Sequence, residues 1–535
     1  MKRRAHVVGF GASAVHVAWT LAERGFSVVV LDVGRPPPPT PSVPEEDFLG
    51  LLASLESPER YFLGSRLEGA TLPGGDDEYY GFPPHREYIF EPHRRFEIEA
   101  RGFEPLVSFA RGGLAEAWTG GCFPFNDAEL EDFPFGYAEL EPYYTKIAER
   151  IGVTGDDDDL TRFTPFHRGL STPVPLDEHS ERLLAAYARH RSRLKRAGVF
   201  LGRSRSAVLT TQKGARKACA QLGRCLWGCP RDALWTPSLA LPDLLRHGVE
   251  YRPGVLVQRF EFDESGRIQT LVLEPASGGP AEKIPVELVV LAAGTLASSK
   301  IVLESVSHQG QPWTLSGLMD NRQILVPFVN LRMIGQRYDP ERYQYHQLAM
   351  GFSNPSPKTY VHALLTTLKT AMIHPIVQSM PFDLRTGLAV FANVHAALGL
   401  LNVNLHDTRR SDCQVTLAPS SSAGSRLVVS YSSAPDERER IREALRRARQ
   451  ALLWLGCVVP PGMAHERPMG ASVHYAGLIP MSQSGESKTT RPDGRSADFP
   501  NLYLADGTSF PFLPAKNITF TLMANAARIG DTIPS

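Results

Sequence analysis

The chain has 535 residues, 42% apolar and 21% charged, with Lys+Arg and Asp+Glu both at 57 and a formal charge of zero. That length accommodates roughly two to four domain-sized units, and the balanced charge excludes a whole-chain basic field for nucleic acid. Six cysteines (Cys122, Cys219, Cys225, Cys229, Cys413, Cys457) are too sparse for a disulfide-built scaffold, and no apolar run reaches the roughly 18–20 residues that cross a bilayer.

The opening segment MKRRAHVVGFGASAVHVAW pairs positive charge with apolar residues, as a secretory leader does. A glycine pattern interrupts it and the segment flows into a second strand pattern, so no leader is expected and the cytoplasm is the default location. Residues 5–8 predict a buried strand, Gly9-Phe10-Gly11-Ala12-Ser13-Ala14 opens a helix running to about Arg24, Gly25 stops it, and 27–32 predict a second strand ending at Asp32. Strand, G-x-G-x-x-A turn, helix, strand and acid together form a dinucleotide cradle. Gly9 permits the tight turn, Gly11 lets backbone approach a pyrophosphate, and Ala14 lets helix and strand pack closely. The helix N-terminus faces the phosphates, and Asp32 can accept from a ribose diol. These residues alone do not separate NAD from FAD.

The proline- and acid-rich run over 35–47 reads as an extended surface connection. In RGGLAEAWTGGC (111–122), Gly112, Gly113, Gly120 and Gly121 flank Trp118 and Thr119, so backbone can approach a planar ligand; a plain glycine loop around a core tryptophan stays open. Cys219, Cys225 and Cys229 give three-quarters of a ferredoxin-like pattern with Leu222 in the missing ligand's place, and a loop with free thiols is the preferred reading. The apolar stretch Tyr360–Leu405, punctuated by Pro375 and Pro381, predicts substrate-domain sheet with a lid or access loop, and an oligomer or membrane-touching surface stays open. His346, His362, His374, His395 and His406 lack metal-ligand spacing, so no metal is expected. Residues 436–455 predict an amphipathic helix with a solvated, charge-paired face.

Four segments, in order, resemble the glucose–methanol–choline (GMC) oxidoreductases, particularly their pyranose oxidase-like and cholesterol oxidase-like bacterial branch. They are 111–122 with the helix pattern FPFGYAELEPYYTKIAERIGVTG (133–155), LVVLAAGTLASSKIVL (288–303), SVHYAGLIPM (472–481) and the C-terminal block 501–531; the stretch 306–435 matches nothing. The resemblance implies an α/β protein. Its Rossmann-like FAD-binding domain would come from residues 1–40, 100–130, 200–305 and 485–535. An α+β substrate-binding domain and lid on a large antiparallel sheet, residues 41–99, 131–199 and 306–484, would be interleaved with it. FAD is the implied cofactor, with Gly9, Gly11, Ala14, Asp32, Gly112, Gly113, Trp118, Thr119, Val257, Ala293, Gly294, Asp506, Gly507, Asn517 and Ile518 toward it. Ala117 stands where some members carry a flavin-bonded histidine, so the FAD is expected to be non-covalent.

Alcohol oxidation by a flavin needs a base for the hydroxyl proton and a path for hydride to flavin N5, and histidine suits the first task. The resemblance makes His474 the base and Asn517 the partner that orients the hydroxyl. Where the family usually has threonine after the glycine, this chain has Leu478, which removes a hydroxyl near the site. The expected partner is a small-molecule alcohol, sugar-like or polycyclic, with oxygen or another acceptor taking the electrons and no nucleic acid involved. A homo-oligomer stays open. So do a flavin-dependent isomerase or double-bond reductase without net alcohol oxidation, and a catalytically silent FAD-binding scaffold.

Overall fold

The computed structural model describes residues 3–39, 43–70, 78, 81–368, 370, 373–378, 380–420 and 424–535, so part of the proline-rich run (40–42) lies outside the described residues. Helices and strands are mixed throughout. Five short strands of three to five residues, the three central ones rich in Val and Leu, form a parallel sheet in the order Leu502–Leu504, Leu288–Leu291, Arg4–Val8, Ser27–Leu31, Glu250–Arg252. Strands this apolar must be covered on both faces. Helices Ala12–Glu23 and Thr519–Thr532 pack against one face, and helix Thr295–His308 with the antiparallel strands Val255–Phe262 and Ile268–Pro275 covers the other. Gly25, at φ +86°, ends the first helix and returns the chain to the second strand.

The second body is a seven-stranded sheet in which Arg322–Asn330, Leu398–Leu405, Val361–Thr367, Leu348–Phe352 and Val199–Arg203 run antiparallel side by side. The pleat sends alternate residues to opposite faces. One face carries Ile324, Val326, Val403, Ala363, Leu365, Met350 and Leu201, and helices Glu178–Arg196 and Glu437–Trp454 bury it. The other face carries Gln323, Asn402, Asn404 and His362 beside Leu364 and Ala349. The 436–455 pattern is thus the helix Glu437–Trp454, tied to the sheet by the Arg322–Glu437 ion pair at 3.0 Å. Tyr360–Leu405 supplies two central strands with the short helices His374–Gln378 and Leu384–Val394 between them. Among the described residues no helix is long and apolar enough to cross a membrane.

Candidate active site

At the ends of the parallel strands lies a cavity lined by Gly9, Gly11, Asp32, Gly113, Val257, Ala293, Gly294, Asp506, Gly507, Ile518 and His474. Its floor is built by close approach of backbone to backbone. At Gly9 (φ +98°) a Cβ would stand 2.7 Å from the Ala292 carbonyl oxygen, and the Gly9 N–H donates to Leu31 O at 2.8 Å, so only glycine fits. Ala12 and Ser13, the first residues of the helix, line the same cavity with Gly11 as the cap. Such a terminus presents unpaired N–H groups and a positive dipole end. Ala14, in the first turn of that helix, is fully buried. Asp32 accepts from the Tyr251 hydroxyl at 3.0 Å, and burial pushes its carboxyl up to about 7 against the lowering effect of that bond. A glycine floor, a helix N-terminus and a carboxylate in one cavity fit a dinucleotide.

A second knot closes the cavity wall. Asp506 accepts from Gly294 N (2.9 Å) and Ser298 Oγ (2.5 Å) on one carboxylate oxygen, and from Thr508 N (3.0 Å) on the other. Thr295 Oγ1 donates to the Tyr475 carbonyl at 2.6 Å, joining that knot to the segment that bears His474. Ser298 belongs to the 288–303 segment that carries the family resemblance, whereas Thr295 had no sequence signal beyond its place in a helix start.

The 111–122 loop is divided in its contacts. Gly113 lines the cavity, while Gly112 sits at φ +92° with a hypothetical Cβ only 1.9 Å from Glu116 Oε1. Trp118 turns its Nε1–H onto the Trp235 carbonyl at 2.7 Å and meets the Trp235 ring edge-on. Thr119 Oγ1 lies 3.1 Å from His346 Nε2. Neither Trp118 nor Thr119 is among the cavity-lining residues.

His474 follows Val473, a β-branched residue held at φ +62°. Its own N–H donates to Ser472 Oγ at 3.0 Å, and Ser472 is held in turn by the buried Asp320 carboxylate. Asn321 decides the chemistry of the ring. Its Nδ2 donates to Leu405 O (3.0 Å) and Pro514 O (2.8 Å), which turns Oδ1 toward His474 Nδ1 at 3.0 Å. An amide oxygen only accepts, so Nδ1 carries the hydrogen and Nε2 keeps its lone pair. Burial, and then the Arg467 guanidinium, lower the imidazole to about 4, so the neutral base is the form present at neutral pH.

Asn517 Oδ1 is buried with no hydrogen-bond partner, against Gly121. Its neighbour Lys516 is fully buried and donates to Pro124 O and Phe163 O (both 2.7 Å) and to Glu129 at 2.5 Å. Those three bonds fix the turn that carries Asn517. Glu129→Gln would strip the countercharge from a buried ammonium, and a loss of about 3–5 kcal/mol is expected. A lowered thermal unfolding midpoint would register it; an unchanged midpoint would refute it. Leu478 is buried in the apolar core beside Tyr475 and Ile479. Cys219, Cys225 and Cys229 are free thiols packed near Val174 and Tyr343.

Residues 409–526 match the family model described as GMC oxidoreductase. Over nearly their whole lengths, two relatives are 23% identical to this chain. One is 6'''-hydroxyparomomycin C oxidase of Streptomyces lividus (99% of this chain, 91% of the relative). The other is C-glycoside 3-oxidase of Microbacterium trichothecenolyticum (98% and 94%). In fold, the chain is similar to the crystal structure of pyridoxine 4-oxidase from Mesorbium loti, at a TM-score of 0.61 and 15% identity over 99% of both chains.

Proposed function

From the premise that this chain carries a GMC oxidoreductase domain over residues 409–526, we propose an FAD-dependent enzyme that oxidises an alcohol of a sugar-like or polycyclic small molecule. One observation carries the reading: His474, locked in the Nδ1–H tautomer by Asn321, lines the cavity that the glycine cradle opens. The parallel sheet is then the core of a Rossmann-like FAD-binding half, interleaved along the chain with a substrate half built on the seven-stranded sheet.

FAD would be held by Gly9, Gly11 and Asp32 at one part of the cavity and by Gly113, Val257, Ala293, Gly294, Asp506, Gly507 and Ile518 elsewhere along it. Ala14, Gly112, Trp118 and Thr119 support those walls from behind. When bound, FAD supplies the two-electron acceptor for the hydride of the alcohol carbon. The protein's part is the proton. His474 Nε2 takes it from the hydroxyl as the neutral base, and its imidazolium is steadied by the Asn321 oxygen. Asn517 donates from its amide to the alcohol oxygen, and its unpartnered Oδ1 is satisfied by the bound ligands.

Ala117 has no side-chain nucleophile, so the FAD is held without a covalent bond. Acid precipitation of the purified yellow protein is therefore expected to leave FAD in the supernatant, and anaerobic addition of an alcohol substrate to bleach its absorbance. Flavin retained in the pellet would overturn the non-covalent reading. Bleaching by NAD(P)H alone would overturn alcohol oxidation in favour of a reductase.

A further inference from the structure

Resting on the alcohol-oxidising reading, we infer that His362, Asn402 and Asn404 are specificity-determining residues that bind the hydroxyl groups of a neutral sugar ring, and that the site prefers uncharged glycosides to aminoglycosides. The first support is register. His362 pairs directly with Asn404, and Asn404 with Gln323, across three neighbouring strands. Directly opposed residues share a face, and Asn402 lies two positions from Asn404 on the same side. The opposite face is the dry one covered by the two long helices.

The second support is a set of unmet hydrogen bonds. His362 Nε2, Asn402 Oδ1 and Asn404 Oδ1 are all buried without a partner, although His362 and Asn404 are only 2% and 3% exposed. Asn404 donates to the Asn402 carbonyl at 3.1 Å, so its amide orientation leaves Oδ1 as a free acceptor. Buried polar atoms in native proteins nearly always have partners. Three orphans on one sheet face, joined by Asn517 Oδ1, define a surface completed by something that brings hydroxyls. A hydrocarbon or sterol skeleton would leave all of them unmet.

Place and shape agree with this. His362 lies close enough to His474 and Lys516 for their charges to act on it. Its ring is 4.5 Å from that of Phe123, in the same segment whose Gly121 meets Asn517 and whose Thr119 meets His346. Leu364 and Ala349, on the same face, pack with Phe123, Phe163, Phe200 and Tyr360 in a buried apolar cluster that borders the polar residues. The charge pattern selects against an ammonium. The nearby cations Lys516 and Arg467 are each paired with a carboxylate, and the four carboxylates around them are already committed, so none of these four is left to hold an ammonium. Glu129 pairs with Lys516, Glu78 with Arg467, Asp407 with Arg410, and Asp320 holds Ser472.

The test uses the flavin-loaded full chain with three probes: phenyl β-glucopyranoside, paromamine and benzyl alcohol. The glycoside is expected to reduce the flavin with a kcat/KM roughly 10²-fold or more above that of benzyl alcohol, and above that of paromamine, since a site built on hydroxyl contacts discriminates strongly against molecules lacking them. Asn404→Leu should lower the glycoside-to-benzyl-alcohol ratio at least about tenfold; Asn402→Leu, at a half-buried position, serves if the first variant does not fold. Equal losses on both alcohols would overturn the assignment of hydroxyl recognition, and preference for paromamine would overturn the charge selection. Turnover of benzyl alcohol without the glycoside would overturn this inference and leave alcohol oxidation standing. No reduction by any probe would overturn both.

Discussion

His474→Ala is expected to yield a folded, yellow, flavin-loaded protein whose turnover is roughly 10²–10⁴-fold below the parent, the range a positioned general base supplies. The effect should fall on kcat, because the imidazole acts on the proton as it leaves and not on the resting alcohol. The pH dependence of the unmodified enzyme follows from the same residue. Burial penalises the charged ring and Arg467 adds repulsion, which holds the imidazole near 4 instead of its ordinary 6.5. The active form is unprotonated, so kcat/KM should stay level from neutrality downward and fall only as the pH drops through about 4. Flavin fluorescence recorded alongside separates that limb from acid unfolding. A limb centred at 6.5 or above, or full activity in His474→Ala, would remove His474 from the reaction.

Asn321→Ala is the second large effect. Without the amide oxygen, nothing holds the hydrogen on Nδ1, and the ring can place it on Nε2, where it cannot accept from the alcohol. A fall in kcat of about 10²-fold with little change in KM is expected, within the span that proton transfer contributes. A merely structural asparagine would give a weaker protein with an unmoved pH profile. A positioning asparagine predicts more: its oxygen favours the imidazolium over the neutral ring, so its loss should move the acid limb to lower pH. An unmoved limb with unchanged kcat would show that the ring keeps its tautomer without Asn321.

The sequence was legible where function is local. The glycine turn, its helix and Asp32 lie within one strand–helix–strand stretch, and each has a backbone reason for its residue type. Gly9, for example, has an Ala292 carbonyl where a side chain would be. His474 and Asn517 were reachable only through resemblance, since one histidine among 16 announces nothing by itself. Asn321 was not reachable at all. Its meaning depends on the Leu405 and Pro514 carbonyls, which come from distant parts of the chain and which no local pattern couples to it. The polar sheet face was hidden for a related reason. In the strand LGLLNVNL, the asparagines look like interruptions of an apolar run until pairing with His362 and Gln323 shows that they share a side. Trp118 illustrates the converse. The glycines around it pointed to a planar ligand, yet its indole N–H is spent on the Trp235 carbonyl.

The order of the parallel sheet has a consequence for how the molecule is made. Its middle strand, Arg4–Val8, leaves the ribosome long before one of its neighbours. That neighbour, Leu288–Leu291, follows much later, and the strand beyond it, Leu502–Leu504, later again. Helix Thr519–Thr532, which packs on the first helix, comes later still. At roughly 5–20 residues per second, the nascent strand–helix–strand unit of the cradle waits tens of seconds with an open strand edge. Contacts this distant in sequence are slow to form and invite wrong pairings meanwhile. Completion of the sheet waits for Leu502–Leu504, and loss of that strand and of helix Thr519–Thr532 removes packing partners of the sheet and of the first helix.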